Sequence, residues 1–229
     1  FWFDDNGNFI GKHRKMRPTF AERTIWGGGD GSMLQVYDTK LGKIGGLECS
    51  EHIVPLYTAA LAGQGIEVHV AAWPPLPKET VGIMGYEVNF VATRYQAISN
   101  QAFTLFCTQV MNQDALDMLC NGDTELVAKL PSTVPGTDGI GGGVSCIFDP
   151  VGRVISNEIN HREEGMVYGD VDLDLIISGK RLIDPAGHYA KPNCMYLNIN
   201  TKAQKPVEFI GEQEDYFMSF DEIQLPEEK

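Results

Sequence analysis

The chain has 229 residues, and 31 Asp and Glu against 18 Lys and Arg give it a formal net charge of −13. With 43% hydrophobic and 21% charged residues it has globular composition and enough length for one sizeable core, which excludes a disordered or collagen-like chain. The acid excess argues against nucleic acid and anionic membrane partners, since the only basic cluster is Lys12-His13-Arg14-Lys15, and no run approaches the roughly 20 apolar residues of a membrane span. Seven acids and one Lys fall in the last twenty residues from Ile210, so nearly half of the imbalance sits in one tail and the body is only mildly acidic. A cytoplasmic location is the default expectation. The chain starts at Phe1-Trp2-Phe3, inside what reads as a core strand, so it is expected to lack its own beginning.

Phe1 to Phe3 and Phe9 to Lys12 flank Asp4-Asp5-Asn6-Gly7-Asn8, a hairpin signal because Asn-Gly tolerates positive φ. Met33 to Asp38 and Lys43 to Glu48 flank Thr39-Lys40-Leu41-Gly42 in the same way. After Cys49 the period changes: Ile53, Leu56, Tyr57, Ala60, Leu61 and Gln64 recur at helical spacing, and Gly63 and Gly65 mark the end. Val68 to Ala72 reads as a buried strand stopped by Trp73-Pro74-Pro75. A helix over Val88 to Asn100, a strand over Ala102 to Gln109 and a short helix near Asp114 to Leu119 follow, then a loop over Asn121 to Thr137. Gly141-Gly142-Gly143 leads into a strand over Val144 to Phe148, Asp149-Pro150-Val151-Gly152 is a turn, and Arg153 to Ile155 returns. Met166 to Leu173 alternates as a strand before a short helix ending at Gly179-Lys180. Hairpins mixed with strand-helix-strand units predict an α/β layered domain with mixed sheets over 1–183, and a Pro- and Asn-rich extension with an acidic tail over 184–229.

Cys49, Cys107, Cys120, Cys146 and Cys194 are odd in number and widely spaced, which argues against a disulfide framework and a zinc module. No two His are spaced for a metal, so no metal and no cofactor are expected. Cys49 stands where a strand passes directly into a helix, and a helix N-terminus favours the thiolate; a nucleophile and a buried core Cys are both open there. Cys107 and Cys146 fall within strands and read as core, while Cys120 and Cys194 fall in loops. His52 lies near enough to Cys49 for a Cys-His pair, although a satisfied helix-face His is the simpler reading; His69 reads as core and His13 as surface. Lys15 ends a strand, and Thr19 and Glu22 fit a Thr-x-x-Glu capping box. The basic cluster is either a solvated face or a buried Lys beside a carboxylate, placed to stabilise an anion. Gly27-Gly28-Gly29-Asp30-Gly31 lacks the residues of a P-loop and reads as a turn.

Two long motifs carry more. Gly11-Lys12-His13-Arg14-Lys15-x-x-Pro18-Thr19-x-x-Glu22-Arg23-x-x-Trp26-Gly27-x-Gly29-Asp30-Gly31, followed by Gly45-Gly46-Leu47-x-Cys49-x-Glu51-His52-x-x-Pro55-Leu56, closely resembles the nitrilase branch of the carbon-nitrogen hydrolase superfamily. His69-Val70-Ala71-Ala72-Trp73-Pro74, Gly141-Gly142-Gly143-x-Ser145 and Asp184-Pro185-x-Gly187-His188-Tyr189-x-x-Pro192 agree in order. The resemblance implies a four-layer α-β-β-α sandwich whose first third is absent here. It makes Cys49 the nucleophile, Lys15 the catalytic lysine and Glu22 a second active-site glutamate, with Ser50, Glu51, His52 and Trp73 expected at the substrate. The family's general-base glutamate lies far upstream of its lysine, and no residue of this chain takes that role.

The activity implied is hydrolysis of a small-molecule nitrile to the acid and ammonia, through a thioimidate and a thioester. An amide-forming hydratase of the cyanide hydratase kind, an amidase, and an inactive truncated assembly module remain alternatives, with a Cys-His peptidase or transferase behind them. Relatives pair or form spirals, so a homodimer or spiral homo-oligomer is expected. The branch usually carries Trp after the nucleophile, and Ser50 in its place is expected to enlarge or wet the substrate pocket.

Overall fold

The computed structural model describes residues 1–76, 85–127, 129 and 140–204. Its centre is a five-stranded mixed sheet in the order β3-β4-β5-β6-β7, formed by Val36–Thr39, Gly42–Glu48, Val68–Trp73, Phe103–Thr108 and Cys146–Phe148. The two inner pairs, β4 with β5 and β5 with β6, are parallel, and the outer pairs are antiparallel. The parallel crossovers run through α1 (Pro55–Gly63) and α2 (Tyr86–Asn100). α3 (Gln113–Cys120), α4 (Thr124–Val127) and α5 (Asp174–Leu182) complete the helices of the described residues. The mixed α/β class is as expected. Beside the central sheet the described residues hold one further sheet, of two strands.

Local chemistry accounts for the element ends. Gly42 takes φ +105 to close the β3-β4 turn, and the Thr39 hydroxyl donates to its carbonyl at 2.7 Å. In β4 a Cβ on Gly46 would lie 2.4 Å from the Val70 carbonyl oxygen, so only glycine lets these parallel strands approach. Pro55 opens α1, where its missing N–H costs nothing. Ile53, expected in that helix, belongs instead to a preceding 3-10 turn over Cys49–Ile53. Asn112 caps α3 by accepting the Ala115 N–H.

Side chains alternate across the sheet. One face of β5, β6 and β7 presents Ala71, Trp73, Phe106, Cys146 and Phe148, which form a core with Leu76 and Ala97. Leu47 joins a second cluster with Leu34, Ala60, Leu61, Ile66 and Ala102. α2 packs a polar stripe inward, Asn89, Thr93, Gln96 and Asn100, and leaves Val91, Tyr95 and Ile98 outward. On the opposite sheet face Ala72 and Cys107 are exposed, so Cys107 is not the core residue its strand position suggested. Cys120, expected in a loop, is buried at the end of α3.

Four expected strands differ in pairing or extent. Trp2–Phe3 (β1) and Phe9–Gly11 (β2) pair antiparallel as a separate ribbon, with Phe1, Phe3 and Phe9 exposed, and not as part of the central sheet. Arg153 to Ile155 returns as expected after a turn closed by Gly152 N–H to the Asp149 carbonyl, but makes only a bridge between Val154 and Phe148. Met166 to Leu173 forms no strand. Its Asp172 carboxylate and carbonyl accept the Asp174 and Leu175 N–H groups and start α5, so local capping outcompetes sheet pairing. Beyond α5, residues 184–204 hold turns and no helix or strand, and Ile199 packs against the Leu34 cluster. The part of the expected 121–137 loop at 128 and 130–137, and the acidic tail, lie outside the described residues.

Candidate active site

β4 runs Gly45, Gly46 and Leu47 through the buried centre of the sheet and ends at Glu48. The next residue, Cys49, takes φ +52, a left-handed conformation unusual for a side-chain-bearing residue. Such strain costs on the order of 1–3 kcal/mol and persists where the surroundings enforce it. It turns the half-buried thiol toward the edge of the Trp73 and Phe106 core.

The basic motif reaches the same place in irregular extended chain, since β2 ends at Gly11 and Lys15 does not close a strand. Burial alternates along it: Lys12 and Arg14 are exposed, while His13 and Lys15 turn inward. The Lys15 side chain is only 3% accessible, and its Nζ donates to Glu22 Oε2 at 2.8 Å. The same carboxylate oxygen accepts the Thr19 N–H, the glutamate half of the expected capping box. The buried Lys beside a carboxylate is therefore the arrangement present, and the solvated basic face applies to Lys12 and Arg14.

Glu51 ties the two segments together. Its side chain is 2% accessible; Oε1 accepts the Met16 N–H at 2.7 Å, and Oε2 accepts the Glu48 N–H and His13 Nε2, each at 2.8 Å. His13 Nδ1 lies 3.0 Å from the Met33 carbonyl. Both ring nitrogens thus face pure acceptors, which only the imidazolium satisfies. Burial opposes that charge, but the hydrogen bond and charge of Glu51 outweigh it and raise the His13 pKa. Glu51 is held below its ordinary value, burial again opposing and His13 and the two amides prevailing. His13, read as a surface residue, is one half of a buried ion pair. The period-two burial of 12–15 was the signal that could have revealed it.

The thiol does not sit as a helix N-terminus would leave it. The turn after Cys49 is a five-residue 3-10 helix, and burial pushes the thiol pKa up, with Glu22 adding to the rise and Lys15 and Ser50 opposing it. The nucleophile reading therefore requires a base to take the thiol proton.

His52 forms no pair with that thiol. Its Nδ1 donates to the Cys49 carbonyl at 2.8 Å, which leaves Nε2 to accept from His69 Nε2 at 3.0 Å. Trp73 stacks on the His52 ring at 5.1 Å, and Gln96 Nε2 donates to the His52 carbonyl. Both oxygens of Glu51 and both ring nitrogens of His52 are taken by protein groups, and Trp73 is buried in the core. These three side chains pack beneath the elbow on protein partners.

Burial lowers the His52 pKa to about 4 and that of His69 well below its ordinary value. Buried neutral imidazoles stabilise the fold above the unfolded value of 6.5 and lose that contribution as pH falls toward the folded value. His13 has the opposite sign: its contribution is complete below 6.5 and lost as pH rises through its raised folded value. Stability is therefore expected to peak near pH 6.5. On the acid side, His52 alone accounts for roughly 3 kcal/mol by about pH 4. Urea unfolding between pH 6.5 and about 5, where carboxylates remain ionised, isolates the histidines. A flat profile there would refute the neutral pair.

Ser50 is half-buried beside the thiol, its Oγ 2.9 Å from Thr19 Oγ1. A cleft of about 840 Å³ lies elsewhere, between α1, α2 and the segment 185–201, and none of the expected site residues lines it. Among the described residues no group of three His, Cys, Asp or Glu is arranged for a metal, and no helix is long and apolar enough to cross a membrane.

An α/β layered chain with a strained cysteine at a strand end and a buried lysine-glutamate pair belongs to the carbon-nitrogen hydrolase family, whose sequence profile, described as Carbon-nitrogen hydrolase, matches residues 1–181. A protein named Nitrilase from Bacillus sp. (strain OxB-1) is 44% identical over 223 residues, covering 97% of this chain and 63% of that protein. An aliphatic nitrilase from Rhodococcus rhodochrous is 34% identical over 91% of this chain and 53% of its own length. The chain thus spans between half and two thirds of these relatives. The crystal structure of Nit3 from Saccharomyces cerevisiae, of the nitrilase superfamily, shares the fold with a TM-score of 0.59 at 20% identity, over 82% of this chain and 57% of that one.

Proposed function

We propose that this chain carries the cysteine and lysine of a nitrilase that converts a nitrile to its carboxylic acid and ammonia. The observation that supports this best is the Lys15 ammonium, only 3% accessible, paired with Glu22 and acting electrostatically on the Cys49 thiol. The relatives named as nitrilases favour the nitrile as the substrate class.

In this reading the Cys49 sulfur bonds to the nitrile carbon while one C–N π pair moves onto nitrogen. The Lys15 N–H faces that nitrogen and stabilises or protonates it, giving a thioimidate. Water then adds to the carbon; loss of ammonia leaves a thioester, and a second water releases the acid and the thiol. A carboxylate base must take the thiol proton and activate both waters. Glu22 is engaged by Lys15 and Thr19, so it positions the ammonium, and no described residue is assigned as the base. Breaking C–S instead of C–N at the tetrahedral stage would release an amide.

The test is product identity. Protein made from the complete coding sequence, given aliphatic and arylacetonitrile substrates, is expected to form acid and ammonia in equal amounts. Amide as the sole product would overturn the nitrilase reading in favour of a hydratase. Hydrolysis of amides without any action on nitriles would overturn it in favour of an amidase.

A further inference from the structure

The segment that carries Lys15 is backed by a glycine turn, and that turn is backed by the C-terminal segment. On its inner face Gly29 N–H donates to the Lys15 carbonyl at 2.8 Å, and the Met33 carbonyl lies 3.0 Å from His13 Nδ1. The approach is closer than side chains would allow: a Cβ on Gly28 would lie 2.6 Å from the Met16 carbonyl oxygen, and one on Gly29 would overlap that of Arg14. On its outer face a Cβ on Gly31 would overlap the Asn200 carbonyl oxygen, and Ile199 packs against the Leu34 cluster. Asp30 latches the two: Oδ1 accepts the Ser32 N–H and hydroxyl, and Oδ2 accepts the Gln204 N–H at 2.8 Å, from 174 residues away. Residues 199–204 also brace themselves, since Lys202 N–H donates to Asn200 Oδ1 and Gln204 Nε2 to the Lys202 carbonyl. Gly28, Gly29 and Gly31 have no positive φ, so close approach across the missing side chains, and not backbone conformation, is what demands glycine here.

We propose that residues 199–204 act as a strap that positions Lys15: they hold the turn over 28–33 against residues 13–16, and the turn fixes the lysine backbone. That backbone is gripped twice, through Met16 N–H by Glu51 Oε1 and through its own carbonyl by Gly29. A long side chain is aimed by where its backbone is held as well as by its ion pair, and a misplacement of about 1 Å at a reacting group can cost about 100-fold in rate. The tight contacts on both faces of the turn are backbone on backbone, which no side-chain rotation can relax, so displacing the strap displaces the turn. The effect on turnover rests on the reading of Lys15 as the catalytic lysine; the mechanical coupling does not.

The test uses protein from the complete coding sequence and inserts one methyl group at a time. Gly31→Ala wedges the strap from the turn and Gly29→Ala the turn from the Lys15 segment, while the Cβ of Gly27→Ala meets nothing within 4 Å and serves as the control. Hydrogen exchange is read at the Met16 amide, which none of these methyl groups touches. Gly31→Ala is expected to speed that exchange about tenfold and Gly29→Ala by more, with Gly27→Ala at the wild-type rate. On a nitrile, Gly31→Ala is expected to lower kcat and kcat/KM together by about tenfold and to leave KM unchanged, since Lys15 acts on nitrogen as charge develops there. A loss of stability alone would not lower kcat in folded protein. Unchanged Met16 exchange in Gly31→Ala would overturn the strap, and faster exchange with wild-type kcat would overturn its positioning role. If circular dichroism shows Gly31→Ala unfolded, Asp30→Asn decides alone: its amide oxygen still serves Ser32 while its NH₂ opposes the Gln204 N–H, and unchanged exchange there refutes the strap. Absence of nitrile hydrolysis by the wild-type protein would count against the proposed reaction, while faster Met16 exchange would still support the strap.

Discussion

Cys49→Ala is expected to abolish nitrile turnover, lowering kcat by at least about 10⁴-fold, since removing a nucleophile removes the covalent pathway itself. The fold should be preserved. Ala carries the same Cβ at φ +52, so it bears the same backbone strain, and the deleted sulfur is only half-buried. Cys49→Gly separates the two roles of the position: it is expected to be equally inactive but more stable by about 1 kcal/mol, because glycine adopts this conformation freely. Single-turnover ammonia release measures the first effect and urea unfolding the second. Substantial turnover by Cys49→Ala would sink the nucleophile assignment, and an unstabilised Cys49→Gly would show that the elbow is not strained.

Glu51→Ala is expected to cost about 3–5 kcal/mol of stability, the range for removing one partner of a buried ion pair. Three donors lose their acceptor at once, the Met16 and Glu48 amides and the His13 imidazolium, in a place water does not reach. Glu51→Gln is not a conservative rescue. Both carboxylate oxygens face donors, so the new amide NH₂ must oppose one of them. Because Glu51 joins the segment bearing Lys15 to the turn bearing Cys49, kcat is expected to fall with stability even under conditions where the variant remains folded. Equilibrium denaturation of the variants reads the first effect. A loss below about 1 kcal/mol for Glu51→Ala would mean that the two segments are held together by other contacts.

The order of elements was legible because it rests on local signals. The apolar run over Val68 to Ala72, the helical spacing from Ile53 to Gln64 and the Thr39–Gly42 turn each predict their element from neighbouring residues. What failed were judgements about environment. Cys107 lies inside a strand, as predicted, yet faces the open side of the sheet. Met166 to Leu173 alternates correctly but forms no strand among the described residues, and Asp172 is drawn into starting α5. β-pairing depends on a partner distant in sequence, whereas a cap depends on a residue two positions away.

The candidate site divides in the same manner. Cys49, Lys15 and Glu22 stand in motifs long enough to mark them, and the capping box foresaw the Glu22 contact with the Thr19 amide. That His13 is charged and buried, that His52 is neutral and turned away from the thiol, and that Ser50 touches Thr19 follow only from segments 17 to 38 residues apart meeting in space. Residue types and their spacing determined by themselves which groups this chain offers for chemistry. The tertiary structure decided which of them are ionised, because burial and the facing partner set the cost of a charge, and neither is written in the order of the residues.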